Sequence, residues 1–172
     1  MTNTPAEGHL DVFLNPGEFH FGAGKARIST LLGSCVSITL WHPRQRIGGM
    51  CHFMLTERIR PKNMALDGRF ASESVELFLQ HVEAAVTRPG EYQAKLFGGG
   101  NMFSGRPGNR LEIGPRRNVD YGRQWLASPH IASVAEHVGG SGRRKLHFDL
   151  CTGDVWLAFP QGADALIRSN YG

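Results

Sequence analysis

The segment from Ser29 to Leu55 constrains the fold most, because its two apolar runs flank a turn, the pattern of a β-hairpin. After Cys35 the residues alternate: Val36, Ile38 and Leu40 fall on one side, and Cys35, Ser37, Thr39 and Trp41 on the other. His42-Pro43-Arg44-Gln45 follows as a turn cluster, in which Pro43 fixes φ and offers no ladder donor. A second apolar run extends from Ile47 to Leu55. With Trp41 facing Arg46, the register sets Cys35 directly opposite His52, with Cβ atoms about 4.5–5.5 Å apart. Gly48-Gly49 leave room for a β-bulge that would offset this count by one residue.

A thiol opposite an imidazole is a chemical unit as well as a structural one. A free cysteine of pKa about 8.5 is only about 3% thiolate at neutral pH, and an adjacent imidazolium lowers that pKa. The pair then becomes thiolate and imidazolium, a nucleophile beside its own general acid. Gly33 and Ser34 precede Cys35, and the glycine permits a bend that aims backbone N–H groups near Ser34 and Cys35 at a developing oxyanion. Upstream, Ser29 and Thr30 bring hydroxyls able to orient the imidazole. The competing reading of Cys35 is a small buried hydrophobe at a strand start, the common fate of a free cysteine.

Several blocks, taken in order, resemble the CheD family of chemoreceptor glutamine deamidases. They are Leu32-Gly33-Ser34-Cys35-Val36, Gly48-Gly49-Met50, His52-Phe53-Met54-Leu55, Lys95-Leu96-Phe97-Gly98-Gly99 with Asn101-Met102, Ile113-Gly114 with Arg117-Asn118-Val119, and Gly139-Gly140 with Arg144. The resemblance covers residues from about 15 to 160. It implies Cys35 as nucleophile and His52, seventeen positions on, as its base. The family often carries a threonine six residues before the cysteine as third catalytic residue; that position is Ser29 here, with Thr30 beside it. The resemblance further implies hydrolysis of receptor glutamine side-chain amides to glutamate and ammonia through a Cys–His thioester, with no metal or organic cofactor. The partners it implies are the cytoplasmic helices of methyl-accepting chemotaxis receptors and a CheC-type phosphatase. Rival readings are another thiol amidase or peptidase, and a non-enzymatic adaptor binding receptors or CheC.

Gly98 and Gly99 follow an Ala-Lys-Leu-Phe strand; the lysine precedes the glycines and no Gly-Lys-Ser/Thr follows, so a P-loop is excluded. Under the resemblance this loop lines the catalytic cleft. The 172 residues, 41% hydrophobic and 20% charged, fit one globular domain, read as 11–172 after a loose segment at 1–10. No apolar run approaches the about 20 residues of a membrane span and no basic-then-apolar leader opens the chain, so a cytoplasmic protein is expected. The net charge of +4 comes from 19 basic against 15 acidic residues, and the short clusters Arg116-Arg117 and Arg143-Arg144-Lys145 lack the density and interleaved aromatics of a nucleic-acid groove. The eight histidines show no HxxxH or HExxH spacing for a metal, and Cys51 and Cys151 read as structural.

The remaining elements are coarse. A strand is expected around 12–14, before the Asn15-Pro16-Gly17 turn. Val75, Phe78, Leu79, Val82 and Val86 recur at helical spacing from about Ser72 to Pro89-Gly90. Asn118 is placed as the cap of a second helix, and strands are expected at about 131–138, 145–151 and 155–159. The class is therefore α+β, with about two main helices among mainly antiparallel strands. The resemblance implies a layered α/β/β arrangement.

Overall fold

The computed structural model describes residues 8–102, 113–128 and 130–159. The strands are β1 (Leu10–Leu14), β2 (Phe19–Ala23), β3 (Ala26–Leu32), β4 (Val36–His42), β5 (Ile47–Cys51), β6 (Gln93–Gly98), β7 (Ala132–Val138), β8 (Arg144–Asp149) and β9 (Val155–Ala158). The helices are α1 (Ala71–Ala84) and α2 (Ile113–Leu126). One sheet runs β1-β3-β8-β9 and the other β2-β5-β4-β6-β7; only β1–β3 and β6–β7 pair in parallel. This is an α+β domain, as the patterning implied, in the α/β/β layers that the resemblance implied. Most of the segment expected to be loose at 1–10 lies outside the described residues, and Leu10 already belongs to β1.

Alternation along β4 explains the layering. Val36, Ile38 and Leu40 point to the helices, where they join Phe78, Val82, Val119 and Leu126 in one core. The opposite face meets the second sheet: Met50 and Phe97 pack with Leu14, Ile28, Leu32, Leu146 and Phe148, and Cys35 and Trp41 lie against them. Burial of these side chains stabilises each layer by about 1.5–3 kcal/mol per fully buried residue before entropy is counted. Two polar links cross the second core. Trp41 Nε1 donates to the Leu150 carbonyl at 2.8 Å, and buried Lys95 donates to the Gly153 carbonyl at 2.9 Å. The lysine of the glycine-rich block is thus a strut between sheets.

The hairpin forms, but its register differs from the one expected. His42 pairs with Ile47 and Thr39 with Met50, and the Val36–Phe53 bridge continues the same register. Arg46 is not paired with Trp41; it sits in the turn with φ 52° and donates its amide to the His42 carbonyl at 2.8 Å. His42 extends β4 by one residue because its ring is buried edge-on against Tyr92 and its Nδ1 receives the Gln45 amide at 3.2 Å. The Gly48–Gly49 stretch carries no bulge: a Cβ at Gly48 would fall 2.2 Å from the Leu40 carbonyl oxygen, so close strand approach is what requires glycine there.

Helix α2 also begins earlier than expected, at Ile113, with Pro115 in its first turn. Asn118 is therefore not a cap. It is a buried residue inside the helix whose Nδ2 donates to the Met54 carbonyl at 2.9 Å.

Candidate active site

The site grows from the end of the molecule where β4 starts and β6 stops. Gly98, with φ 110°, lets β6 turn away while passing close to the loop before β4; a Cβ there would fall 2.2 Å from the Cys35 carbonyl oxygen. The next two amides then hold that loop. Gly99 N donates to the Cys35 carbonyl at 2.8 Å and Gly100 N to the Gly33 carbonyl at 3.0 Å. Both Cys35 and Gly33 are thereby fixed through their carbonyls. Among the described residues, neither the Ser34 nor the Cys35 amide donates to a main-chain carbonyl.

His52 directly follows β5, across from the start of β4. In the observed register its directly opposed residue is Ser37, and Cys35 is one step diagonal, two residues along. The expected head-on pairing of Cys35 with His52 is corrected to this diagonal one. Because a shift of two residues preserves the face, both side chains still point between the sheets, toward the layer that contains Met50. The diagonal spacing in an antiparallel pair is about 7–8 Å, longer than the expected contact.

The imidazole is held from behind. His52 is 1% exposed, and its main-chain carbonyl receives the Gly17 amide at 2.7 Å, so the Asn15-Pro16-Gly17 turn clasps it. Its Nδ1 lies 2.7 Å from Thr30 Oγ1. That hydroxyl donates its single proton to the Leu14 carbonyl, also at 2.7 Å. With the Thr30 proton so committed, the Thr30 oxygen accepts and His52 Nδ1–H donates. The lone pair is then on Nε2, which is buried and has no hydrogen-bond partner.

Ser29 is not part of this chain. Alternation along β3 turns it to the outer face of the second sheet, where its hydroxyl lies 2.8 Å from His147 Nδ1. The expectation that Ser29 orients His52 is corrected: Thr30, the adjacent hydroxyl, occupies that place. An expected ionised pair is corrected as well. Burial pushes the Cys35 thiol up, partly opposed by a hydrogen bond from Ser34. Burial also pulls His52 down to about 4, against the favourable influence of the Leu14 carbonyl and Glu18. Both shifts favour the uncharged forms, a thiol diagonal to a neutral imidazole.

Comparison with known proteins now bears on this geometry. The family described as CheD chemotactic sensory transduction matches residues 54–159. A Dechloromonas aromatica protein named probable chemoreceptor glutamine deamidase CheD 3 is 73% identical over 172 residues, all of both chains. The chain belongs to the CheD family. More distant CheD relatives carry the same deamidase name: one from Pseudomonas savastanoi pv. phaseolicola is 46% identical over 90% of this chain and 87% of its own. One from Leptospira interrogans is 35% identical over 88% and 94%.

Among the residues singled out from sequence, the fold of this CheD chain gathers Gly33, Ser34, Cys35, Gly98 and Gly99 into one loop cluster. His52 and Thr30 form the facing pair. Sequence reasoning missed the Leu14 carbonyl, which no side-chain pattern signals, and Gly100. Arg144, singled out with Gly139-Gly140 in the sequence blocks, is 1% exposed, and its guanidinium donates to the His137 and Gly139 carbonyls and so anchors the Gly139-Gly140 turn beside Asn101. Cys51 is sealed in the helix-side core with its thiol pushed up to about 12. Cys151 donates to the Gly24 carbonyl at the far sheet. No group of three or more metal-ligating side chains occurs among the described residues.

Proposed function

We propose that this protein deamidates glutamine side chains of chemoreceptors, with Cys35 as nucleophile and His52 as general base and acid. The observation that carries the reading is the fixed tautomer of His52. Thr30 and the Leu14 carbonyl leave Nε2 unprotonated and without a partner among the described residues, on the same between-sheets face as Cys35. Catalytic hydrogen bonds in ligand-free sites are often long and tighten only with substrate, so a diagonal resting pair suits this role.

In the proposed cycle, His52 Nε2 takes the Cys35 Sγ proton as sulfur attacks the carboxamide carbon. The carbonyl electron pair moves to oxygen, which the Ser34 and Cys35 amides receive. His52 then returns the proton to nitrogen, the C–N bond breaks, and ammonia leaves a thioester on Cys35. Water attacks the thioester as Nε2 accepts its proton, the C–S bond breaks, His52 returns that proton to Sγ, and glutamate is released with the thiol and neutral imidazole restored. A neutral imidazole is the form that starts this cycle, so depression of its pKa by burial keeps the base ready at physiological pH. Glutamine is distinguished from glutamate by hydrogen bonds to its NH2 group, which a carboxylate cannot make. A CheC-type phosphatase as a second partner belongs to the same proposal.

The test is mass spectrometry of a receptor cytoplasmic fragment incubated with wild type and with Cys35→Ala. The amide-to-acid mass increase at particular glutamines, seen only with wild type, supports the reading. Cleavage of the receptor backbone instead would assign the site to a thiol peptidase.

A further inference from the structure

The outer face of the second sheet carries a polar arrangement that the deamidase chemistry does not use. The register aligns Phe13, Ser29, His147 and Trp156 in one row across all four strands. At about 4.8 Å per strand, the two aromatic side chains stand about 14 Å apart, with the Ser29–His147 hydrogen bond between them. The row floors a groove of about 680 Å³ that Arg27 and Lys145 also line, one on each side. That volume falls within the range of small-molecule sites, about 300–1,000 Å³.

Two features point to an anion in this groove. First, Arg27 Nε is buried with no hydrogen-bond partner among the described residues, which is costly for a charged donor unless something meets it. Second, two cations, Arg27 and Lys145, line the groove against a single lining carboxylate, Asp11. Asp11 and Asp149 flank Arg27 in register, yet neither Arg27 nor Lys145 makes an ion pair among the described residues. Asp149 Oδ1 is instead taken by the Cys151 amide at 2.7 Å. Lys145 faces Leu31 and Ala158 across the strands, with no carboxylate in its row. Burial pushes the His147 pKa down, and the field of Lys145 and Arg27 acts in the same direction, against Asp11.

We propose that this groove binds an organic anion, a carboxylate or phosphate on a planar apolar body. Arg27, Lys145 and the Ser29 hydroxyl receive the anionic head, and Phe13 or Trp156 packs the body. The bonding is charge-assisted and the wall aromatic, a combination that favours a small aromatic acid over a bare inorganic ion.

The experiment titrates the full chain with phenyl phosphate, phenylacetate, neutral phenylacetamide and inorganic phosphate, following the indole and backbone amides by two-dimensional NMR. Both aromatic anions should shift Trp156, Ser29 and His147 and bind at least about tenfold tighter than phenylacetamide. Preference between them tells a phosphate from a carboxylate source. Arg27→Gln and, on the exposed side, Lys145→Gln should each weaken binding about tenfold while leaving receptor deamidation unchanged. Equal binding of phenylacetamide, indifference to both variants, or no shift of the row at millimolar anion would overturn the proposal. None of these outcomes touches Cys35 or His52.

Discussion

Replacing Thr30 by valine tests the positioning of His52 with almost no change of shape. The hydroxyl makes two bonds of 2.7 Å, one to the Leu14 carbonyl and one from His52 Nδ1. Valine removes the hydroxyl partner of a buried carbonyl and of a buried ring N–H, each loss costing about 1–3 kcal/mol, so Thr30→Val should lose about 2–6 kcal/mol of stability. Because a structural loss alone would look similar, the decisive readouts are elsewhere. Without an acceptor at Nδ1 the tautomer is no longer fixed, and general-base help worth about 10²–10⁴ in rate is largely lost. We expect at least about a hundredfold fall in kcat on a receptor fragment under conditions where the variant is fully folded. Thr30→Ser keeps the hydroxyl and should recover most of that rate, losing about 1 kcal/mol for the missing methyl group. Nitrogen-15 NMR of the imidazole should show the proton on Nδ1 in wild type and Thr30→Ser, and mixed tautomers in Thr30→Val. Ser29→Ala should leave rate and tautomer unchanged. Full activity in Thr30→Val, or a comparable loss in Ser29→Ala, would refute the reasoning.

Three further outcomes follow from burial and close approach. Alkylation of Cys35 by iodoacetamide should keep rising with pH through and above the range of an ordinary thiol, because burial pushes its pKa up, while Cys51 stays unreactive when folded; a plateau of fast Cys35 labelling at neutral pH would instead show an ionised pair. Stability should fall with acid between pH 6.5 and about 4, because His52 binds its proton in the unfolded chain before the folded one. That gap amounts to about 3 kcal/mol at most, with His20, His137 and His147 shifted the same way; urea midpoints should flatten over this window in His52→Asn, and an unchanged slope would contradict the assignment. Gly98→Ala should unseat the nucleophile loop, since its Cβ would meet the Cys35 carbonyl at 2.2 Å in a backbone region at φ 110°; wild-type kcat in that variant would show that the contact is unimportant.

The sequence disclosed the parts of this fold that repeat with a period. The alternation after Cys35 and the helical spacing of Val75, Phe78 and Val82 identify β4 and α1, and hence the two cores on either face of β4. It disclosed less where backbone geometry decides. The hairpin register turned on whether Arg46 adopts a left-handed turn conformation, a choice made by the burial of His42 against Tyr92 far along the chain. Strand β2 was not anticipated, because Phe19-His20-Phe21-Gly22-Ala23 ends in glycine-rich residues with little strand propensity. The choice between Ser29 and Thr30 depended on which face of β3 turns inward to the other sheet, and the carbonyl that fixes the hydroxyl belongs to Leu14, sixteen residues away. Asn118 looked like a cap because its type favours caps, but Pro115 starts the helix earlier and frees the amide for the Met54 carbonyl.

Whether Cys35 carries the acyl group is tested most directly by trapping it. Wild-type protein mixed with a receptor cytoplasmic fragment is quenched in acid during turnover, and its covalent adducts are mapped by peptide mass spectrometry. The account predicts a thioester-linked receptor glutamyl group on Cys35, absent in Cys35→Ala, which leaves every receptor glutamine intact. Deamidation by Cys35→Ala at the wild-type rate, or an adduct on any other side chain, would contradict it.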